Sequence, residues 1–331
     1  MNTLEALARC TACPRRCAVN RSAGALGYCG CGERVRVTKW MLHMWEEPCI
    51  SGYTPARESV SLPLPDPCAP AWPSPIRPMP VRGSGAIFFG GCNLGCVYCQ
   101  NRDISRPGCT LGEEYTIPEL AELLLATEQY GAYNCNLVTP TPYLPQLREA
   151  IGLAKAQGLS IPVVWNTGGY EAPDAIDTLA GLVDVYLTDW KYMDPTLSAA
   201  LSHAPDYGEV LASSYPRMCA QVGRPVYDAE GLLRRGVILR HLILPGCRAD
   251  SMAVLRKAAA LVPPGDVILS LMRQYTPDFC AGEDVPKSLR RRVTSFEYRT
   301  VLDTATALGY DGYSQDAASA TAGYTPEFRG K

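Results

Sequence analysis

From residue 86 to residue 308, short apolar runs alternate with stretches of helical length. Residues 86–90 (AIFFG), 136–139, 161–165, 183–188, 237–244 and 266–271 are rich in Val, Ile, Leu and aromatic residues, the pattern of buried strands. Between them, 117–130, 144–157, 173–182, the longer region 195–222 and 251–261 read as helices, and a last helix is expected over about 287–308. Alternation at this spacing predicts parallel strands joined by right-handed crossovers. Six such units are too few for a closed eight-stranded barrel. They suit a partial, open barrel or an open doubly wound sheet, and periodicity does not separate the two.

Upstream of this α/β region lie a Cys-rich head (1–52) and a Pro-rich stretch (53–82), with residues 83–331 forming the main unit. Positions 63–80 carry eight prolines in 18 residues, which favours an extended linker or a lid over a site. The chain is nearly neutral, with 31 Lys and Arg against 33 Asp and Glu, which argues against nucleic-acid binding through a broad basic surface. The start, MNTLEALARC, lacks a signal-peptide layout, and no run approaches the roughly 18 apolar residues of a membrane span. A soluble, cytoplasmic protein without a membrane partner is expected.

Fifteen cysteines in 331 residues, about 4.5%, fall below the roughly 8–10% of a disulfide scaffold, and the number is odd. Their spacing says more. Cys10, Cys13, Cys17, Cys29 and Cys31 form one close group; Cys92, Cys96 and Cys99 form another. Clustered thiols in a reducing compartment point to metal.

The second group lies in 87–101, IFFGGCNLGCVYCQN, where a strand is followed by CxxxCxxC. Loops after the C-terminal ends of parallel strands line the active face. Three thiolates on one short loop can hold three irons of a 4Fe–4S cube, which normally takes four cysteines. Cys109 is the nearest further thiol; if it stands aside, one iron stays open to a ligand.

These residues resemble the radical S-adenosylmethionine (SAM) superfamily, with Tyr98 as the aromatic just before the third cysteine. The flanks GGCNLGCVYCQNRDIS, NLVTPTPY, VVWNTGGYE, VDVYLTDWKYMD, RHLILPG and MRQYTP look like the PflX branch of pyruvate formate-lyase activating-enzyme-like proteins, and the head CTACPRRCAVNRSAGALGYCG is similar to it as well. The resemblance covers nearly the whole chain; the Pro-rich run looks like an addition. It implies an α/β partial (β/α)6 barrel of the radical SAM type with a small Cys-rich N-terminal head. It also implies a 4Fe–4S cluster on Cys92, Cys96 and Cys99 with SAM at the open iron. One electron, from a donor such as flavodoxin or ferredoxin, would cleave SAM to a 5′-deoxyadenosyl radical that abstracts a hydrogen atom.

Strand ends supply the residues that the resemblance assigns to SAM. Asp189 and Lys191, two apart in VYLTDWK, share a strand face and match a D-x-K of glycyl-radical activating enzymes. In VILRHLIL, Arg240 matches the arginine that pairs with the SAM carboxylate; a charge among aliphatic residues needs a partner in any case. His241 is expected to pack between strand and helix. Where activating enzymes carry a GGE-type strand end for the methionine amino group, this chain has VTPTP, offering the hydroxyls of Thr139 and Thr141 and no carboxylate. Asn166, followed by Thr167, stands in place of an Asp-Thr pair that helps to build a cation site.

In the head, Cys10, Cys13, Cys17 and Cys29 have the spacing Cx2Cx3Cx11C. Four thiolates in a segment poor in apolar residues suit a structural zinc or a second Fe–S cluster. Cys247 and Cys280 fall near the expected mouth, either as hydrogen-atom donors or as inert thiols. Three functions follow in order of expectation. The first is a radical SAM enzyme that activates a glycyl-radical protein. The second applies the same radical to a small molecule or peptide, and the third is a non-catalytic Fe–S or zinc protein.

Overall fold

The computed structural model describes residues 2–53, 58–65, 76, 79, 81–280, 285–315 and 326–328. Most of the Pro-rich run at 63–80 lies outside the described residues. Strands are β1 (Val35–His43), β2 (Val60–Ser61), β3 (Ser84–Phe89), β4 (Glu113–Tyr115), β5 (Cys135–Val138), β6 (Val163–Thr167), β7 (Val185–Asp189), β8 (Val226–Tyr227), β9 (Leu233–Leu242), β10 (Ile268–Met272) and β11 (Gly312–Ser314). Helices are α1 (Thr3–Ala8), α2 (Pro48–Ser51), α3 (Arg102–Ser105), α4 (Ile117–Gln129), α5 (Leu144–Ala156), α6 (Pro173–Asp177), α7 (Pro195–Ser202), α8 (Tyr207–Val222), α9 (Arg248–Leu261) and α10 (Ser295–Ala307).

The sheet runs β11-β10-β9-β7-β6-β5-β3-β1-β2, and its two ends do not join. The six strands expected from the apolar runs, β3, β5, β6, β7, β9 and β10, pair in parallel in chain order. The fold is therefore α/β with a largely parallel, open sheet, as a partial six-unit barrel requires. β1 closes the β3 edge in antiparallel register.

Side-chain alternation puts the two faces of the sheet into separate apolar clusters. Leu137, Trp165, Tyr186 and Leu239 pack toward the helices. Val164, Val185, Leu187, Ile238 and Ile268 turn to the inner face, where Cys49 and Ile50 of α2 cover them. Helix boundaries follow local chemistry. Thr116 and Glu119 form a capping box at the start of α4, whose Leu120, Leu123 and Leu124 share the buried stripe. The region 195–222 is two helices, because His203 turns left-handed (φ 54°) just before the Ala204–Pro205 step. The last helix begins at Ser295, later than expected, since Thr294 and Glu297 build its capping box there.

The head lies against the barrel. Arg21, 2% exposed, donates to the carbonyls of Gly32 (2.9 Å) and Pro142 (2.6 Å). Arg15 donates to the carbonyls of Asn93 (3.0 Å) and His203 (2.6 Å) and stacks on Tyr28, 3.9 Å from the ring centroid. Among the described residues no helix is long and apolar enough to cross a membrane.

Candidate cofactor site at the strand ends

β3 ends in Gly90–Gly91. Gly91 has φ 84°, and a Cβ there would stand 2.4 Å from Cys31 Sγ and 2.7 Å from the Cys29 carbonyl, so only glycine lets the loop pass the head. The three thiols that follow are each hydrogen-bonded. The Leu94 amide donates to Cys92 Sγ (3.4 Å), the Ser202 hydroxyl of α7 to Cys96 Sγ (2.9 Å), and Ser105 Oγ lies 3.4 Å from Cys99 Sγ. Burial pushes the Cys92 and Cys96 thiols up, and their neighbouring thiolates add to it, while Lys191 opposes. A metal that binds such buried thiols releases their protons to solvent, and its charge then stabilises the thiolates. Cys109 packs elsewhere, against the cluster of Met41, Phe88 and Ile104.

At the end of β7, Lys191 Nζ lies 2.5 Å from Asp189 Oδ2. Tyr207 fixes the backbone beneath them: its hydroxyl accepts from the Lys191 amide (3.0 Å) and lies 2.7 Å from the Asp189 carbonyl. Burial would lower Lys191, but Asp189 and the charge of Cys96 outweigh it and hold the ammonium above its ordinary range. The structure thus brings Cys92, Cys96, Cys99, Asp189 and Lys191 together.

Residues 86–213 match the family model of the Radical SAM superfamily. An uncharacterized protein of Methanocaldococcus jannaschii is 28% identical over 317 residues, which are 91% of this chain and 75% of that protein. Two structures of Streptococcus suis SuiB, one bound to the precursor peptide SuiA and one to S-adenosylmethionine, share 11% and 10% identity, with TM-scores of 0.44 and 0.43. They cover 69% and 68% of this chain, which spans about half (48%) of each SuiB chain.

Other residues singled out in the sequence take different positions around this matched segment. Tyr98 is buried, its hydroxyl 2.5 Å from that of Tyr192, which in turn lies 2.9 Å from Ser202 Oγ. A hydroxyl chain therefore runs from Tyr98 to Cys96. Thr139 closes β5 in a left-handed conformation (φ 61°), a strained state for a β-branched residue. The Thr141 hydroxyl donates to Glu171, which also accepts from Thr167. Glu171 is fully buried with Oε2 unpartnered, and burial pushes it up. It brings a carboxylate beside VTPTP from the loop after β6, a position that spacing along the chain did not single out.

Arg240 and Asn166 meet two residues that sequence reasoning missed. Glu47 grips the Arg240 guanidinium with both oxygens (2.7 and 2.6 Å), and Glu46 accepts from the same side chain. Glu46 also accepts from Asn136 (2.9 Å) and Asn166 (3.5 Å). Burial would raise Glu46, yet Arg240 and His43 hold it well below the carboxylate range. The available signal was two acids inside the apolar stretch 40–50.

On the helix side of β9, His241 is buried as expected and its Nδ1 donates to the Trp190 carbonyl (2.6 Å), leaving Nε2 unpartnered. Burial lowers its pKa from 6.5 to about 4. A ring that stays neutral when folded but protonates when unfolded supports stability fully above pH 6.5 and loses that support as pH falls toward 4. Urea denaturation at pH 7.5 and 5 should show a loss from this residue of about 2 kcal/mol, absent in His241→Gln; equal losses would refute it. Farther along, Cys280 Sγ lies 2.8 Å from the Tyr275 hydroxyl, and Cys247 donates to its own turn at Pro245 (3.8 Å).

In the head, Cys10, Cys13, Cys17 and Cys29 line one cavity. Cys31 turns away from it and donates to the Gly90 carbonyl (3.4 Å). Hydrogen bonding from Cys31 outweighs burial and brings Cys29 down to about 6.

Proposed function

We propose that the chain is a radical SAM enzyme whose cluster sits on Cys92, Cys96 and Cys99. The observation that carries it is the Lys191–Asp189 pair facing the three loop thiols, from which Cys109, the next thiol along the chain, is packed away. Three thiolates and one open position suit a 4Fe–4S cube that must also bind a ligand. Such a cluster supplies, with SAM and one electron, the 5′-deoxyadenosyl radical that abstracts a hydrogen atom.

The protein's own part is binding and shielding. The Lys191 ammonium and Asp189 carboxylate offer a cation and an anion for the carboxylate and hydroxyls of SAM. Tyr207 holds their backbone, and Ser202 and the Leu94 amide hold the thiol sulfurs in place. Tyr98, Thr139 and Thr141 border this region, whereas Arg240 and Asn166 are given over to Glu46. Following the branch resemblance, we take the substrate to be a glycyl-radical protein, with an electron donor of the flavodoxin or ferredoxin class.

Anaerobically reconstituted protein given dithionite and SAM should release 5′-deoxyadenosine. No release from protein with an intact cluster would overturn the proposal. Deuterium passing from the partner's glycine into 5′-deoxyadenosine would support the activating role, and label arriving only from a small molecule or peptide would reject it. Lys191→Met should weaken SAM binding by about 10- to 100-fold, the size of losing one buried charge-assisted contact, while iron content stays unchanged. Equilibrium dialysis with labelled SAM checks this, and unchanged affinity would remove Lys191 from the site.

A further inference from the structure

The head cysteines repeat the loop's spacing in reverse: Cys10-x2-Cys13-x3-Cys17 against Cys92-x3-Cys96-x2-Cys99. Zinc sites more often set one Cx2C pair against another. Here three thiols come from one tight turn and the fourth, Cys29, follows after eleven intervening residues. That turn is strained, with Arg16 (φ 41°) and Ala18 (φ 55°) both left-handed, a cost that a chain carries when its surroundings fix the geometry. The four thiols line one cavity together with Arg15, Arg21, Tyr28 and Asn93. Zinc draws four sulfurs to about 2.3 Å from one point, whereas a cube takes one thiolate at each iron and keeps its cysteines spread around it.

The sulfurs also carry the contacts that tune a cluster. The Tyr28 amide donates to Cys17 Sγ (3.4 Å), as Leu94 does to Cys92, and the Arg21 guanidinium lies 4.0 Å from Cys10 Sγ. The cavity abuts the radical SAM loop. Asn93, next to Cys92 in the chain, forms part of its wall, and its carbonyl accepts from Arg15, which sits between Cys13 and Cys17. The Cys29 carbonyl packs on Gly91, the other neighbour of Cys92.

We propose that Cys10, Cys13, Cys17 and Cys29 hold a second 4Fe–4S cluster, which passes electrons to the cluster on Cys92, Cys96 and Cys99. With four cysteines this cluster has no open iron, which suits electron transfer and not substrate binding. A one-electron donor of the flavodoxin or ferredoxin class reduces it; it then reduces the loop cluster and returns to its oxidised state, with no bond made or broken. The transfer rests on the proposed function, but the site does not.

The variant Cys92→Ala/Cys96→Ala/Cys99→Ala leaves the head untouched. Reconstituted anaerobically with iron, sulfide and zinc all present, it should retain about four irons and four sulfides and give a reduced-cluster EPR signal. One zinc without sulfide, or a folded protein with no metal, would overturn the site. Iron and sulfide kept here when the wild type cleaves no SAM would leave the site standing and reject the enzyme reading alone. For the transfer, Cys13→Ala/Cys17→Ala should keep the loop cluster and its reduction by dithionite, while reduced flavodoxin reduces that cluster at least an order of magnitude more slowly. Equal flavodoxin rates would overturn the transfer. If that variant does not fold, rapid-freeze EPR of the wild type decides: with substoichiometric flavodoxin the head signal should precede the loop signal, and the reverse order refutes it.

Discussion

Cys96→Ala is expected to abolish loop-cluster assembly and to lower 5′-deoxyadenosine release by ~10³-fold or more, about 4 kcal/mol in barrier height. Cys96 is the middle thiol of the loop and accepts from Ser202 at 2.9 Å. Losing it leaves two thiolates for a cube that needs at least three protein sulfurs. Folding should survive, because the change removes one small side chain and one hydrogen bond, worth about 1 kcal/mol. Ser202→Ala is the control: it keeps all three thiols and loses only the hydrogen bond, so the cluster should form with a shifted reduction potential. Iron analysis, EPR and product chromatography on both variants check the pair. A Cys96→Ala protein that still assembles the loop cluster and cleaves SAM would remove the loop from the chemistry.

That loop was legible because its chemistry is local: three cysteines within eight residues need no knowledge of the rest of the chain. The six parallel strands were legible for a related reason. Strands such as Val163–Thr167 and Val185–Asp189 are buried on both faces and open with three consecutive apolar residues. β1 was hidden within the head. Its Val35, Val37, Trp40 and Leu42 all reach the main core, but a bulge between Val37 and Lys39 breaks the two-residue period. Short α6 was overextended because 173–182 looks helical throughout, whereas the helix stops at Asp177 ahead of a left-handed Gly181. Contacts across long separations were the least readable. Arg240 plainly needed a partner, but nothing along the chain named residues 193 and 194 positions away as that partner.

Breaking that contact should have the largest effect on stability. Arg240→Met leaves Glu46 and Glu47, 7% or less exposed in their side chains, without their cation. Removing one partner of a buried ion pair costs roughly 3–5 kcal/mol, against a typical total of about 5–15. The melting temperature should therefore fall by on the order of 10 °C. The sign with pH follows from the carboxylates. In the wild type Glu46 is held below its ordinary range, so the stability that it brings is present at neutral pH and drains as pH falls below about 4.5. In Arg240→Met burial favours the protonated form of Glu46, so the deficit against wild type should shrink on acidification. Neutralising both partners in Arg240→Met/Glu46→Gln/Glu47→Gln should recover most of the loss, since an uncharged cluster of similar volume has no buried charge to strand. Calorimetry across pH separates these outcomes, and a single variant as stable as the wild type would mean that the pair does not hold the inner face. SAM binding by the recovered variant then decides the second role suggested for Arg240. Affinity within about threefold of wild type, under 1 kcal/mol, assigns the arginine to Glu46 and Glu47 alone. A tenfold or larger loss in a stable protein would return it to the SAM carboxylate.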